Sequence, residues 1–230
     1  MKYKYDLHIH SGLSPCAEKE MTPVNITAYA KLSGLDFVAI ADHNAIANVE
    51  VALRAGEFYG INVVPAMELQ TAEDIHLLCL FEKFEELEAF YLAVPFPFIK
   101  NRPDIFGEQL IFDEDDNIIG KEERLLLNSS TLGIDEARRL CERHGGVAIP
   151  AHIDRDSNSA LMILGVVPEE FKTVEISSKA DDDFIKGYEK DRLVIINSDA
   201  HMLDGISLKG EIELNEPTVK ALIERLKEGK

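Results

Sequence analysis

Five of the seven histidines in this 230-residue chain stand at, or just beyond, the C-terminal end of a short apolar run. His8 and His10 end the run that begins at Tyr5, and His43 follows Phe37 to Ala41. His152 follows Val147 to Ala151, and His201 follows Val194 to Ser198. Barrel-like α/β enzymes place their sites where strands end in this way. The pattern therefore calls for a fold in which successive strands deliver their ends to one rim.

Seven short runs rich in Val, Ile and Leu have the character of buried strands: residues 5–9, 36–41, 62–67, 75–80, 146–150, 173–176 and 193–197. Helical patterns alternate with them. Residues 23–33 have Thr22 as N-cap, Pro23 at the first helical position and Gly34 just past the end. Residues 46–59 close at Gly60, and 84–92, 134–144, 157–164, 181–188 and 217–227 complete the series. Strand and helix in alternation predict an α/β fold built on a parallel sheet or barrel, as a single domain over residues 1–230. Residues 95–128 interrupt the alternation: PFPF, then LIF and NII on either side of an acidic turn at 113–117, predict a hairpin insertion that lies over the mouth of the site as a lid or rim.

Charge narrows the partners. With 42 acidic and 24 basic residues the formal net charge is −18, which repels phosphate backbones unless bound cations neutralise some carboxylates. A long nucleic acid is thus a poor partner. No apolar run approaches the roughly 20 residues that span a bilayer, and MKYKYDLHIH lacks the apolar stretch of a signal peptide, so a cytoplasmic protein without a membrane partner is expected. Cys16, Cys79 and Cys141 are odd in number and lack CxxC spacing, which argues against a disulfide framework.

His8 and His10, two apart on a strand, point to one face and can share or bridge metal ions. Asp42 beside His43 reads as a carboxylate that orients the imidazole or as a loop cap. Glu68 directly follows the apolar run 63–67, where an unpaired carboxylate costs several kcal/mol and a bridging role between cations removes that cost. Asp199 and His201 end the last strand together. His144 differs, because it sits in the last helical turn before Gly145, where an imidazolium suits the helix dipole. Any one of these histidines reads equally well as a satisfied core or capping residue; five on one rim do not. For phosphate oxygens the basic candidates are Arg155, Lys179 and, in the insertion, Arg102, each of a type that is commonly just solvated.

Six motifs then occur in order: DLHIH (6–10), ADHN (41–44), MEL (67–69), DIHLL (74–78), PAHID (150–154) and SDAH (198–201). Together they resemble the polymerase and histidinol phosphatase (PHP) family over residues 6–201. The resemblance implies a distorted (β/α)7 barrel holding two or three divalent ions, zinc, manganese or iron. It implies His8, His10, His43, Glu68, His76, His152, Asp199 and His201 as ligands, with Glu68 bridging. His76 enters only through the resemblance. The implied activity is hydrolysis of a small phosphomonoester or nucleotide by a metal-activated hydroxide, with Asp199 or His201 moving the proton. The first loop, SGLSPCAEKEMTP, departs from the family pattern: counting back from Thr22 and Pro23, Glu18 takes the place of the loop ligand, and Cys16 competes with it.

Three other classes stay open. An exonuclease acting on short oligonucleotides would cleave nucleic-acid ends, a regulatory metal-binding protein would hold ions without turnover, and an amidohydrolase would attack carbonyl carbon instead of phosphorus.

Overall fold

The computed structural model describes the whole chain, Met1–Lys230. In chain order its elements are β1 (Lys2–Ile9), α1 (Pro23–Leu32), β2 (Phe37–Ile40), α2 (Val49–Tyr59), β3 (Asn62–Val63), β4 (Ala66–Gln70), β5 (His76–Leu80), α3 (Phe84–Ala93), α4 (Pro103–Phe106), β6 (Leu110–Phe112) and β7 (Ile118–Lys121). There follow α5 (Ile134–Arg143), β8 (Val147–Pro150), α6 (Ala160–Leu164), β9 (Thr173–Ser177), α7 (Asp182–Tyr188), β10 (Leu193–Asn197), a 3₁₀ turn (Leu203–Gly205), β11 (Gly210–Glu213) and α8 (Val219–Glu228). No helix is long and apolar enough to cross a membrane.

Local chemistry sets most boundaries. Thr22 caps α1, its Oγ1 accepting from the Asn25 backbone N–H at 3.1 Å. Helix α2 starts later than residue 46, because Asn48 is engaged elsewhere: it donates to the Leu110 carbonyl and accepts from Phe112 N–H, both at 3.1 Å. Helix α6 likewise starts at Ala160, capped by Ser159, because the Asn158 carbonyl accepts from His76 N–H at 2.9 Å.

Two expectations need correction. The run 62–67 is two strands: Pro65, which has no N–H to offer a ladder, separates β3 from β4. Strand β3 pairs in parallel with β2, whereas β4 pairs antiparallel with β5. Only residues 71–75 join β4 to β5, too few for the crossover that a parallel pair requires. Strand β5 is therefore antiparallel to both β4 and β8, and its first residue, His76, lies on the rim where its neighbours end.

The barrel is also not closed by continuous ladders. The strands form separate sheets in the orders β11-β1-β2-β3, β4-β5-β8, β9-β10 and β6-β7. Isolated parallel bridges, His43 with Glu68 and Ile9 with Ala200, tie these sheets together at the rim. The architecture is a mixed α/β fold around a shared interior.

That interior is apolar at its base and polar at its rim. Tyr5, Leu7, Phe37, Leu78, Leu80, Ile149 and Ile195 pack together, and Leu222 and Leu226 of α8 close the base. Along β5, Leu78 and Leu80 face this interior while Leu77 and Cys79 face the cluster under α3 and α5. Each large side chain so buried contributes about 1.5–3 kcal/mol. The insertion packs beside the rim. Leu110 N–H donates to the Gly12 carbonyl at 2.8 Å, and a Cβ on Gly12 would lie 3.0 Å from the Phe112 ring, tighter than ordinary packing. Asn44 donates to the Leu126 carbonyl at 2.8 Å, and Arg124 donates to the Asn44 carbonyl at 2.6 Å.

Candidate metal centre

Glu68 is the hub of the rim. Its Oε1 lies 3.2 Å from His8 Nε2, 2.8 Å from His76 Nδ1 and 3.1 Å from His152 Nε2. Its Oε2 lies 2.8 Å from His43 Nδ1 and 3.5 Å from His10 Nε2. Asp199 Oδ1 approaches His10 Nε2 at 2.8 Å and His8 Nε2 at 3.6 Å. Three groups hold donor atoms mutually within 4.8 Å: His8, His10 and Glu68; His43, Glu68 and His76; and His10, His43 and His201.

These close approaches do not satisfy the atoms involved. His8 Nε2, His10 Nε2, His43 Nδ1, His76 Nδ1, Glu68 Oε2 and Asp199 Oδ1 are buried and lack a hydrogen-bond partner. Orphaned buried polar atoms are rare because each costs about 1–3 kcal/mol. Imidazole nitrogens and carboxylate oxygens converging without hydrogen-bond geometry are the donor set a divalent cation takes. The residues fit such ions.

A supporting layer fixes the rings. Glu175, fully buried on β9, accepts from His8 Nδ1 at 2.9 Å and is itself held by His152 N–H at 3.3 Å and Asn197 Nδ2 at 3.2 Å. The Nδ1–H bond leaves the His8 Nε2 lone pair facing Glu68 and Asp199. Asp42 does not orient His43, its neighbour in sequence. It accepts from the Ser11 and Ser14 hydroxyls at 2.6 and 2.7 Å, and Ser14 Oγ accepts from His10 Nδ1 at 3.0 Å, so Asp42 orients His10. His201 Nδ1 donates to the Asp199 carbonyl at 2.9 Å.

Electrostatics follow from burial and proximity. Burial opposes the Glu68 carboxylate, but His76, His8 and His43 hold it well below the usual range. Burial likewise opposes charge on Asp199, yet His8 and His10 keep it strongly depressed. Burial disfavours charge on His43, but Glu68 outweighs it and raises the group to about 10; burial and the neighbouring His43 lower His10 to about 3. Burial opposes a thiolate at Cys16, but hydrogen bonds with His201 and His43 bring the thiol down to about 7. Backbone strain marks the same rim: Asn44, His152 and Asp199 have φ of 48°, 33° and 51°, where non-glycine residues cost about 1–3 kcal/mol each.

The ligands named by the resemblance thus converge, except Glu18, whose exposed carboxylate joins no ligand group. Arg155 pairs with Asp199 Oδ2 at the edge of the cluster. Arg102 instead pairs with Asp104 in the insertion, and Lys179 is exposed; neither touches the cluster. Glu175 and Asn197 escaped the sequence reading. Their signal was present: a charged or amide side chain inside an apolar run needs a buried partner, the rule already applied to Glu68.

No protein-family model matches the sequence. A 5′–3′ exoribonuclease of Haemophilus influenzae is 32% identical over 87 residues, covering 36% of this chain and 31% of that protein. The lesion-specific endonuclease Q of Pyrococcus furiosus superposes with a TM-score of 0.69 at 20% identity, over 99% of this chain and 56% of that one. A protein of Bifidobacterium adolescentis provisionally assigned as a metal-dependent phosphoesterase superposes with a TM-score of 0.61 at 16% identity, over 95% of both chains. This chain therefore spans about half the length of the endonuclease, and its match to the exoribonuclease covers under a third of that protein. At these identities the solved structures establish the fold, and the resemblance read from the motifs holds for a mixed α/β fold and for the His/Glu cluster, but not for a closed barrel.

Proposed function

We propose, for a chain that carries the fold and ligand pattern of the PHP family, a metal-dependent phosphoesterase that hydrolyses a small phosphomonoester or nucleotide. The observation that carries this reading is the Glu68 carboxylate, buried among five imidazoles with its Oε2 unpartnered. His8, His10, His43, Glu68, His76, His152, Asp199 and His201 would hold two or three ions. When bound, such ions lower the pKa of water and neutralise charge on phosphoryl oxygens.

The chain's own groups do the rest. Glu175 and Asp42 keep His8 and His10 in the tautomers that turn Nε2 inward. Arg155, about one-third exposed beside Asp199, can offer its guanidinium to a phosphate oxygen. Proton transfer to the leaving oxygen is assigned to Asp199 and His201; Asp199 is buried, and His201 is the most exposed ring of the cluster.

A second reading, cleavage of short oligonucleotides, is favoured by the match to an exoribonuclease and by the fold shared with an endonuclease. The net charge of −18 argues for short substrates in that case. The test compares phosphate release from phosphomonoesters and mononucleotides with cleavage of end-labelled oligonucleotides, using protein loaded with Mn²⁺ or Zn²⁺. Phosphate release from monoesters supports the first reading. Cleavage of oligonucleotides alone replaces it with the second, and silence on both by metal-loaded protein overturns the phosphoesterase assignment.

A further inference from the structure

Strand β4 turns Ala66, Glu68 and Gln70 to one face and β5 turns His76, Leu78 and Leu80 to the same face; Ala66, Leu78 and Leu80 place that face in the interior. Gln70 is thus the next inward-facing side chain after Glu68, one step further toward the end of its strand. It stands directly across from His76. Neither backbone bonds the other: Gln70 N–H donates to Asn44 Oδ1, and His76 N–H donates to the Asn158 carbonyl, both at 2.9 Å. In such a pair the facing side chains come closest. Gln70 therefore neighbours the cluster while belonging to none of its ligand groups.

The Gln70 carboxamide is held in one orientation. Its Nε2 donates to Asp74 Oδ1 at 3.1 Å, and Ser129 Oγ donates to the same oxygen at 2.5 Å. Asn158 Nδ2 donates to the Asp74 carbonyl at 2.9 Å, and Ser130 N–H to the Gln70 carbonyl at 2.9 Å. A carboxylate only accepts, so the amide must turn its NH₂ to Asp74 and its oxygen away. That oxygen has no partner although Gln70 is only 9% exposed, and it is not sealed from solvent. Closing the turn between β4 and β5 uses the Nε2 bond alone. A fixed acceptor is left over beside the metal ligands.

We infer that Gln70 is a specificity-determining residue: its Oε1 accepts a hydrogen bond from a hydroxyl or amino group on the alcohol portion of the substrate, and Asp74 is the positioning residue that fixes the amide. This rests on the phosphoesterase reading and narrows its substrate class. In that reading the ions and Arg155 serve the phosphoryl group, whereas the leaving alcohol is selected for a donor close to the ester oxygen, as in a sugar, a polyol or a nucleoside. An alcohol lacking that donor strips water from Oε1 and gives nothing back, which is what rejects it.

The test measures phosphate release by the Mn²⁺-loaded full chain from two matched pairs of esters: glycerol 1-phosphate beside propyl phosphate, and adenosine 5′-monophosphate beside its 2′,3′-dideoxy analogue. The ratio of kcat/KM within each pair is the readout. In one pair or both, the native chain should prefer the hydroxyl-bearing ester by about tenfold, the worth of one such bond. Gln70→Leu should abolish that preference by losing rate on the hydroxyl-bearing ester, with metal content as in the native chain. Asp74→Ala, at an exposed position, should lower the preference part of the way, and Asp74→Asn, which keeps an acceptor for Nε2, should retain more of it. A native chain with no preference in either pair overturns the Gln70 assignment and leaves the phosphoesterase standing. So does a preference that survives in Gln70→Leu, or a Gln70→Leu chain that folds but loses its metal. Should Gln70→Leu not fold, an unchanged preference in Asp74→Ala decides against the assignment and a lowered one for it. Absence of phosphate release from all four esters by the metal-loaded native chain overturns both readings.

Discussion

The rim of strand ends and the insertion at 95–128 are both rich in polar residues, yet they use them in opposite ways. In the insertion, Asp113 accepts from the backbone of Asp115 and from Asn117, Lys121 pairs with Glu108, and Arg102 pairs with Asp104, all in solvent-exposed settings. These groups complete one another. At the rim, Glu68, His8, His10 and Asp199 are buried in mutual contact and still leave their facing atoms without hydrogen bonds. Self-sufficient polar groups build a turn, and insufficient ones mark where something else binds.

If that difference is real, substitutions in the two regions must differ in kind. Glu68→Gln, which removes the charge of the hub, is expected to abolish metal-dependent hydrolysis and most metal binding while the chain stays folded; retention of both would end the contrast. In the supporting layer, Glu175→Gln should weaken metal affinity about 10–100-fold, measured by competition with a chelating indicator, because the His8 tautomer is no longer enforced. Leu78→Ala, beneath the rim in the apolar interior, should destabilise the chain by about 2–5 kcal/mol in denaturant unfolding, with little change in the metal affinity of the folded protein. Asp113→Ala should move the melting temperature least and leave metal content unchanged.

Acid–base behaviour sharpens the same contrast. In the metal-free chain, His43 is raised to about 10, so its stabilising contribution is complete below its ordinary value of 6.5 and is lost as pH rises toward 10. His10, lowered to about 3, does the reverse: the unfolded chain takes up the proton first, so stability is lost as pH falls from 6.5 toward 3. The metal-free melting temperature should therefore be highest near pH 6.5, and Glu68→Gln should reduce the alkaline decline because Glu68 raises His43, while Glu175 still raises His8. An unchanged alkaline decline in that variant would disconnect the two residues.

Much of the rim was legible because candidate ligands after apolar runs are a local pattern: His8, His10, His43, Glu68, His152, Asp199 and His201 all follow it. What escaped depended on pairing. The direction of β5, and with it the reason His76 belongs to the rim, follows from a five-residue connection that forbids a parallel crossover. Strand β11 was missed although Gly210–Glu213 alternates between buried and exposed, because its partner is the opposite end of the chain, β1. Asp42 adjoins His43 in sequence but serves His10 through Ser14, since tertiary packing and not adjacency decides which ring a carboxylate reaches.

The central claim is that the buried cluster around Glu68 is a divalent metal centre. It is tested most directly by the metal content of the purified chain after loading and desalting, measured by plasma mass spectrometry beside Glu68→Gln. More than one ion per chain, falling sharply in the variant, is the predicted result. Native protein that emerges with essentially no metal, or a variant that holds as much as the native chain, would contradict it.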